Sequence, residues 1–123
     1  MLPYLLIALG GAGGALSRYG VARLGQALLP HHLWPWGTFT VNLLGSVAIG
    51  AVYVLITERG NLHADWRYVL IVGFLGAFTT FSTFSLESVA LFEAGRPFVA
   101  ISYMAVTLLT CVVGCWLGII AVR

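Results

Sequence analysis

Four long apolar segments dominate the sequence, and they leave the chain little choice of fold. They run over about residues 3–24, 37–56, 66–93 and 98–122, and each has roughly the 20 residues that an α-helix needs to cross the hydrocarbon core of a bilayer. Because lipid offers no hydrogen-bond partners, the backbone of such a segment must satisfy itself within a helix. The sequence therefore predicts an all-α membrane protein, with one domain of four transmembrane helices.

The polar residues are too few and too scattered for most other classes of protein. Only 8% of the residues are charged, against 60% hydrophobic, so almost nothing is expected outside the bilayer. Isolated arginines do not make a basic patch, which argues against a nucleic-acid partner. The spans contain no histidine and no paired carboxylates, so we do not expect an enzyme. His31 and His32 lie between the first two spans, and we interpret them as solvated loop residues.

Small and polar residues mark one face of each span. Gly10, Gly13, Gly14 and Ser17 share a face of the first span, a pattern that allows close helix packing. Asn42 shares a face of the second span with small residues. An asparagine at this depth either bonds a neighbouring helix or lines a pore, and the spacing favours neither.

The third span contains an unusually polar stretch, Gly76–Glu87, which holds five hydroxyl residues, three phenylalanines and a carboxylate. Its hydroxyls point in nearly every direction around a helix, so little of this stretch can face lipid. We therefore expect it at the centre of an assembly. Gly73 and Gly76 precede the hydroxyl run, and they make a local break in the third helix plausible.

The arginines are balanced between the two sides of the membrane. Four spans place both termini on one side, and a Lys/Arg excess normally sets the orientation. Three arginines on each side provide no such excess, so we predict insertion in both orientations and an antiparallel dimer. The two sets are Arg59, Arg67 and Arg123, and Arg18, Arg23 and Arg96.

The side chains at depth suit a small anion. Hydroxyl, amide and phenol groups supply hydrogen-bond donors, and there is no ring of carboxylates to favour cations. Phe81 and Phe84 could direct the positive edges of their rings into a pathway, although their spacing alone favours ordinary packing residues. Four closely packed helices leave room only for a narrow conduit.

Two motifs resemble those of a known family. Gly37-Thr-Phe-Thr-Val-Asn-Leu-Leu-Gly-Ser46, followed by Gly73-Phe-Leu-Gly-Ala-Phe-Thr-Thr-Phe-Ser-Thr-Phe-Ser-Leu-Glu87, is similar to the Fluc fluoride channels, also called CrcB proteins. The resemblance covers the whole chain, with the glycines and Arg18 in the first span and Tyr103 in the fourth.

The resemblance implies a fluoride-selective channel in a bacterial-type inner (plasma) membrane, which exports fluoride passively through two pores in an antiparallel, dual-topology homodimer. It also implies a structural Na⁺ ion at the centre of the dimer, held by the backbone carbonyls of Gly76 and Thr79 at a break in the third helix. Arg18 matches an arginine of the pore vestibule. The implied pore residues are Phe81, Phe84, Asn42, Tyr103, Ser82, Thr83, Thr107 and Glu87.

Two other functions are compatible with the size and topology. A small proton-coupled exporter of cations would need a carboxylate in the first span, and that span has none. A non-conducting membrane scaffold would not need a hydroxyl-rich centre.

Overall fold

The computed structural model describes residues 1–30 and 33–123, and every regular element in these ranges is helical. His31 and His32 lie outside the described residues. Helix α1 covers Leu2–Leu28, and α2 covers Trp36–Tyr53 before it continues as π-helix over Val54–Glu58. A second π-helical segment, Arg67–Leu75, leads into the short α3, Gly76–Phe78. Helices α4 and α5 cover Phe81–Glu93 and Pro97–Val122.

Within the described ranges, four helical stretches are long and apolar enough to cross a membrane. They are Leu2–Leu28, Trp36–Glu58, Arg67–Glu93 and Pro97–Val122, and we refer to them as the first to fourth spans. This confirms the prediction of an all-α chain with four membrane-capable helices. Large apolar side chains remain exposed along all four spans, as expected of surfaces that face lipid or another subunit.

A tight turn joins the third and fourth spans. The Gly95 N–H donates to the Phe92 carbonyl at 3.1 Å, and the Arg96 N–H donates to the Leu91 carbonyl at 2.9 Å. This is a Schellman motif, which requires a residue with positive φ after the helix, and Gly95 has φ of 76°. Pro97 then begins α5, so the two spans are antiparallel neighbours.

Glycines let α1 lie directly against the first half of the third span. A Cβ atom added to Gly10 would overlap the Val69 carbonyl oxygen, and one added to Gly14 would overlap the Phe74 carbonyl oxygen. The helix axes can approach this closely only because neither position carries a side chain. The packing role predicted for this face of the first span is therefore confirmed.

The second and fourth spans form a similar pair. A Cβ atom on Gly50 would overlap the Cys115 carbonyl oxygen, and one on Gly118 would overlap the Val47 carbonyl oxygen. Two glycine-packed pairs thus build the bundle, with α1 against the third span and α2 against α5.

A small core lies where α4, α5 and the start of α2 meet. Tyr103 and Ala100 are fully buried there, together with Phe84 and Leu91, and Trp34 packs against them. The Trp34 and Tyr103 rings meet edge to face, with their centroids 5.4 Å apart, a favourable aromatic geometry. This core fixes the position of α4 against α5, and hence of the polar side chains on both helices.

We expect Gly14→Ala to lower the free energy of unfolding by about 1–2 kcal/mol, because overpacking costs about 1–3 kcal/mol and the gain in helix propensity recovers only part of it. Gly20→Ala is the matched control, since no atom lies within 4 Å of an added Cβ there. The measurement is reversible denaturation in mixed detergent micelles. Equal stability of the two variants would contradict the close-packing account.

Candidate functional site

The helical backbone of the third span is interrupted between α3 and α4. Helix α3 ends at Phe78, and Thr79 (φ −87°, ψ 158°) and Thr80 (φ −151°, ψ 116°) are both extended before α4 begins at Phe81. Extended residues cannot continue the helical hydrogen-bond pattern. The peptide groups on either side of this point therefore need other partners within the bundle.

Asn42 on α2 provides two of these partners. Its Oδ1 accepts a hydrogen bond from the Thr80 N–H at 2.7 Å, and its Nδ2 donates to the Thr80 carbonyl at 3.1 Å. Both polar groups of the Thr80 backbone are thus satisfied by one side chain from a neighbouring helix. Of the two roles that the sequence left open for Asn42, the interhelical bond is present in the structure.

The interruption redirects two amides away from their helical acceptors. In a continuous helix the Thr80 N–H would donate to the Gly76 carbonyl, and the Thr83 N–H to the Thr79 carbonyl. The first donates to Asn42 instead, and the second donates to Thr80 Oγ1 at 3.2 Å. The carbonyls of Gly76 and Thr79 therefore lose the amides that would otherwise occupy them.

Arg18 lies on the other side of the same interruption. Its Nε donates to the Ala77 carbonyl at 3.0 Å, and the side chain is part-buried. An arginine from the first span thus replaces the helical amide that would otherwise bind this carbonyl. The guanidinium places a positive charge beside the interrupted segment, within the interior of the bundle.

A cavity of about 330 Å³, which we call the central cavity, opens beside the interruption. Residues of the second, third and fourth spans line it. It brings together six of the residues that the sequence singled out: Asn42, Gly76, Thr79, Phe81, Phe84 and Thr107. Ser46, Thr80 and Cys111 also line it, so its wall mixes hydroxyl, amide and thiol groups with aliphatic side chains.

The two phenylalanines of the central cavity differ sharply in exposure. Phe84 is 4% exposed and packs into the core, whereas Phe81 is 71% exposed and projects outward. Their ring centroids are 5.5 Å apart and the planes are inclined by 60°. One ring is therefore fixed by its surroundings, while the other stands at the open side of the cavity.

The hydroxyl groups of α4 and α5 are not equally available to a ligand. Ser85, Ser88 and Thr110 donate to the carbonyls four residues earlier in their own helices, at 2.7–3.0 Å, as intrahelical serine and threonine commonly do. The Thr107 hydroxyl is buried and has no hydrogen-bond partner within the described ranges. A buried polar atom without a partner is costly, so this hydroxyl is suited to a bound species.

Glu87 forms a second polar cluster, next to the cavity rather than in it. Its Oε2 accepts a hydrogen bond from Thr38 Oγ1 at 3.0 Å, and its Oε1 accepts one from the Tyr103 hydroxyl at 3.0 Å. The Tyr103 ring also contacts the Phe84 ring, with centroids 5.1 Å apart. Phe84 and Tyr103 thus connect the central cavity to the carboxylate.

Ser82 and Thr83 belong to a third group, clustered around the Thr80 hydroxyl. Thr80 Oγ1 lies 3.1 Å from Thr83 Oγ1 and 3.4 Å from Ser82 Oγ. Neither Ser82 nor Thr83 lines the central cavity. Apart from Arg18, which binds the Ala77 carbonyl, the predicted site residues therefore fall into a cavity group, a Glu87 group and a hydroxyl cluster at the start of α4.

Sequence reasoning gave no role in the site to Thr38 and Thr80. A signal for Thr80 was present, because threonine is a favoured residue immediately before a helix, and a break in the third span had been predicted nearby. A buried carboxylate such as Glu87 also needs donors from other helices, which made hydroxyls of the second span candidates. The pattern could not select Thr38 among them, because that choice depends on the rotation of α2.

Comparison with known proteins gives a consistent result. Residues 5–119 match the family described as "CrcB-like protein, Camphor Resistance (CrcB)". A "Fluoride-specific ion channel FluC" of Saccharophagus degradans is 50% identical over 105 residues, which cover 85% of this chain and 77% of the relative. Proteins of the same name from Coxiella burnetii and Nitratidesulfovibrio vulgaris are 44% and 45% identical, and each match covers 97% of this chain and at least 95% of the relative.

Proposed function

Because the chain belongs to the CrcB-like family and is a multi-pass membrane protein, we propose that it is a fluoride-selective channel that exports fluoride passively. The relatives at 44–50% identity are named as fluoride-specific ion channels. We place it in a bacterial-type inner (plasma) membrane. A channel of this kind needs a path that replaces water around a small anion without holding the anion too tightly.

The observation that carries the proposal is the pairing of an unpartnered donor with aromatic rings in one cavity. Thr107, whose hydroxyl is buried and has no hydrogen-bond partner within the described residues, lines the central cavity together with Phe81 and Phe84. The hydroxyl can donate to fluoride, and ring edges attract an anion weakly through their quadrupole. Weak sites suit conduction, because the ion must be able to leave.

The start of α4 adds a favourable field at the same place. Its first amides face the interruption, and the N-terminus of a helix carries a partial positive charge that attracts anions. Interrupted membrane helices use their ends in this way in transporters. Asn42 lines the cavity as well, so its amide can serve the pathway while it fixes the Thr80 backbone.

We propose that the path continues from Phe84 towards Tyr103 and Glu87. The Tyr103 hydroxyl donates its hydrogen to Glu87. This hydrogen is therefore available to a passing anion only when the bond to Glu87 breaks. Fluoride would compete with the carboxylate for this donor. Ser82 and Thr83 supply further hydroxyls at the start of α4, and Arg18 contributes positive charge near the interruption.

The direction of transport follows from the acid–base chemistry of fluoride. Hydrogen fluoride crosses a membrane as a neutral acid and ionises in a near-neutral cytoplasm, where the anion is trapped. A negative-inside potential then favours exit of the anion by about 2.3 kcal/mol per 100 mV. A passive pore is therefore sufficient, with no coupling to another solute.

An antiparallel homodimer with two pores accounts for the open side of the central cavity. Phe81 is 71% exposed although it lines this cavity, and an aromatic pore wall needs a cover. A second copy in the opposite orientation would supply it, and the balanced arginines remove the usual bias against that orientation. Two antiparallel copies would present two equivalent cavities.

The interruption in the third span also fits the structural Na⁺ ion that the family resemblance implies. Na⁺ is a hard cation that can be bound by the backbone carbonyls of unwound membrane helices. The Gly76 and Thr79 carbonyls have lost the amides that they would bind in a continuous helix, because the Thr80 and Thr83 amides donate elsewhere. We propose that these two carbonyls hold the ion and that Asn42 keeps them in place.

The two alternative functions have less support. The first span, Leu2–Leu28, contains no carboxylate, so it lacks the residue that a small proton-coupled exporter would use. A scaffold protein gives no reason for a buried and unpartnered hydroxyl beside aromatic rings.

Proteoliposomes loaded with fluoride should release it without a proton gradient, while chloride-loaded liposomes should retain their chloride. We expect Phe81→Ile to lower the fluoride rate at least about tenfold, equivalent to about 1.4 kcal/mol, because isoleucine lacks the ring edge. Phe92→Ile, on an exposed position of the same helix, is the control. Equal release of both anions, or equal rates for the two variants, would refute the channel proposal.

A protease-cleavable tag at the C-terminus tests the dimer. In sealed membrane vesicles we expect external protease to remove the tag from about half of the copies, because the arginine balance gives no orientation preference. Cleavage of all the copies, or of none, would show a single orientation and exclude the antiparallel arrangement.

Replacement of Na⁺ by N-methylglucamine should lower the thermal midpoint, since a ligand that binds only the folded state stabilises it more as its concentration rises above its Kd. In Asn42→Ala this salt dependence should largely disappear, because the Thr80 amide can return to the Gly76 carbonyl. Ser46→Ala, which lines the same cavity, should keep it. A wild-type midpoint that is the same in both salts would rule out the ion.

A further inference from the structure

A second cavity of about 270 Å³ lies between the central cavity and the membrane face that carries both termini. We call it the mouth cavity. Tyr53 and Thr57 line it from the second span, Arg67 from the third and Cys115 from the fourth. Ile49 and Ile71 line both cavities. The two cavities therefore adjoin, and we refer to them together as the groove, which leads from the interruption in the third span towards this membrane face.

Arg67 is the only charged residue among the described residues that line either cavity. No carboxylate lines them to offset its charge. Tyr53, 46% exposed, provides a phenol beside it. The Thr57 hydroxyl donates to the Tyr53 carbonyl at 2.6 Å, so the guanidinium and the phenol are the strong hydrogen-bond donors left at this mouth for an anion.

The neighbouring arginines on this face are engaged, whereas Arg67 is not. Arg59 donates to the Val122 carbonyl at 2.8 Å, and Arg123 binds Glu58 through two hydrogen bonds at 2.9 and 3.2 Å. Within residues 1–30 and 33–123, the Arg67 side chain makes no hydrogen bond or ion pair. Its five N–H donors are available to a solute.

The charge of Arg67 stands among apolar side chains at the mouth cavity. Arg67 is exposed at the start of the helical segment Arg67–Leu75, and Ile56, Ile71 and Ile119 line the cavity around it. The mouth cavity therefore carries only positive charge between low-dielectric walls. Such walls focus the electric field and raise the local concentration of anions.

We propose that Arg67 is an anion-capture residue, which concentrates small inorganic anions such as fluoride at the mouth of the groove before they enter the central cavity. The role rests on the proposed function as far as fluoride is concerned. Capture acts on the rate of encounter, so its effect is greatest at low ionic strength and is screened by salt. In an antiparallel dimer one Arg67 would stand at each membrane face, and both entrances would be equivalent.

Cys115 provides a reporter of the local potential, because it lines the mouth cavity and is partly exposed. In a Cys111→Ser background, we would compare its rate of modification by a negatively charged methanethiosulfonate (the sulfonatoethyl reagent) and a positively charged one (the trimethylammonium-ethyl reagent). We expect the anionic-to-cationic rate ratio to fall at least about fivefold in Arg67→Gln at low ionic strength. Arg67→Lys should restore it.

Arg59→Gln is the matched control, since it removes the same charge from the same membrane face but from a residue that lines neither cavity. Its rate ratio should stay close to that of the parent. A ratio unaffected by Arg67→Gln, or an equal change in both variants, would overturn the capture role. So would a failure of either reagent to modify Cys115, because the mouth cavity would then be closed to water.

Fluoride release from proteoliposomes separates this inference from the channel proposal. We expect Arg67→Gln to slow release severalfold at low ionic strength and to match the parent in about 0.5 M salt, where screening acts within a few ångströms. If the labelling ratio changes and the parent releases no fluoride, the capture site stands and the channel proposal fails. If the parent releases fluoride and Arg67→Gln is as fast at low salt, the capture role fails and the channel proposal stands.

Discussion

The two hydrogen bonds between Asn42 and the Thr80 backbone are the interaction on which the polar centre depends. In a bilayer, each peptide group that leaves a helix must find another partner or lose several kcal/mol. Asn42 satisfies both groups of Thr80, and the Thr80 hydroxyl caps α4 by accepting the Thr83 amide. The chain can therefore be extended at Thr79 and Thr80 in the middle of a span, and the cavity beside them can form.

The hydrogen-bond partners of the other hydroxyls explain why a hydroxyl-rich helix need not form a wide, water-filled channel. Several hydroxyls of the third and fourth spans bind their own helix, and the Glu87 carboxylate accepts hydrogen bonds from Thr38 and Tyr103. Among the described residues, one buried hydroxyl, that of Thr107, remains without a hydrogen-bond partner. The selectivity that we propose depends on this scarcity, because a few donors beside aromatic rings can serve a small dehydrated anion without offering a path to water.

The sequence predicts the architecture well and the distribution of polar contacts poorly. Four membrane-capable helices and the small face of the first span follow from residue spacing, because helical periodicity alone determines which side chains share a face. The division of the predicted site into a cavity around Phe81 and Thr107, and a separate cluster around Glu87, does not follow from spacing. It depends on the relative rotation of α2, α4 and α5, and on the extended conformation at Thr80, neither of which is encoded locally.

The packing of α2 against α5 also constrains the order in which the bundle can assemble. The Gly50 surface lies on the Cys115 backbone, and the Val47 carbonyl meets Gly118, so α2 packs on a helix that is synthesised two spans later. Chains are synthesised at about 5–20 residues per second, so α5 is completed several seconds after α2. The small-residue face of α2 is left against lipid or the translocation machinery during that time, and the central cavity can close only after the last helix has entered the membrane.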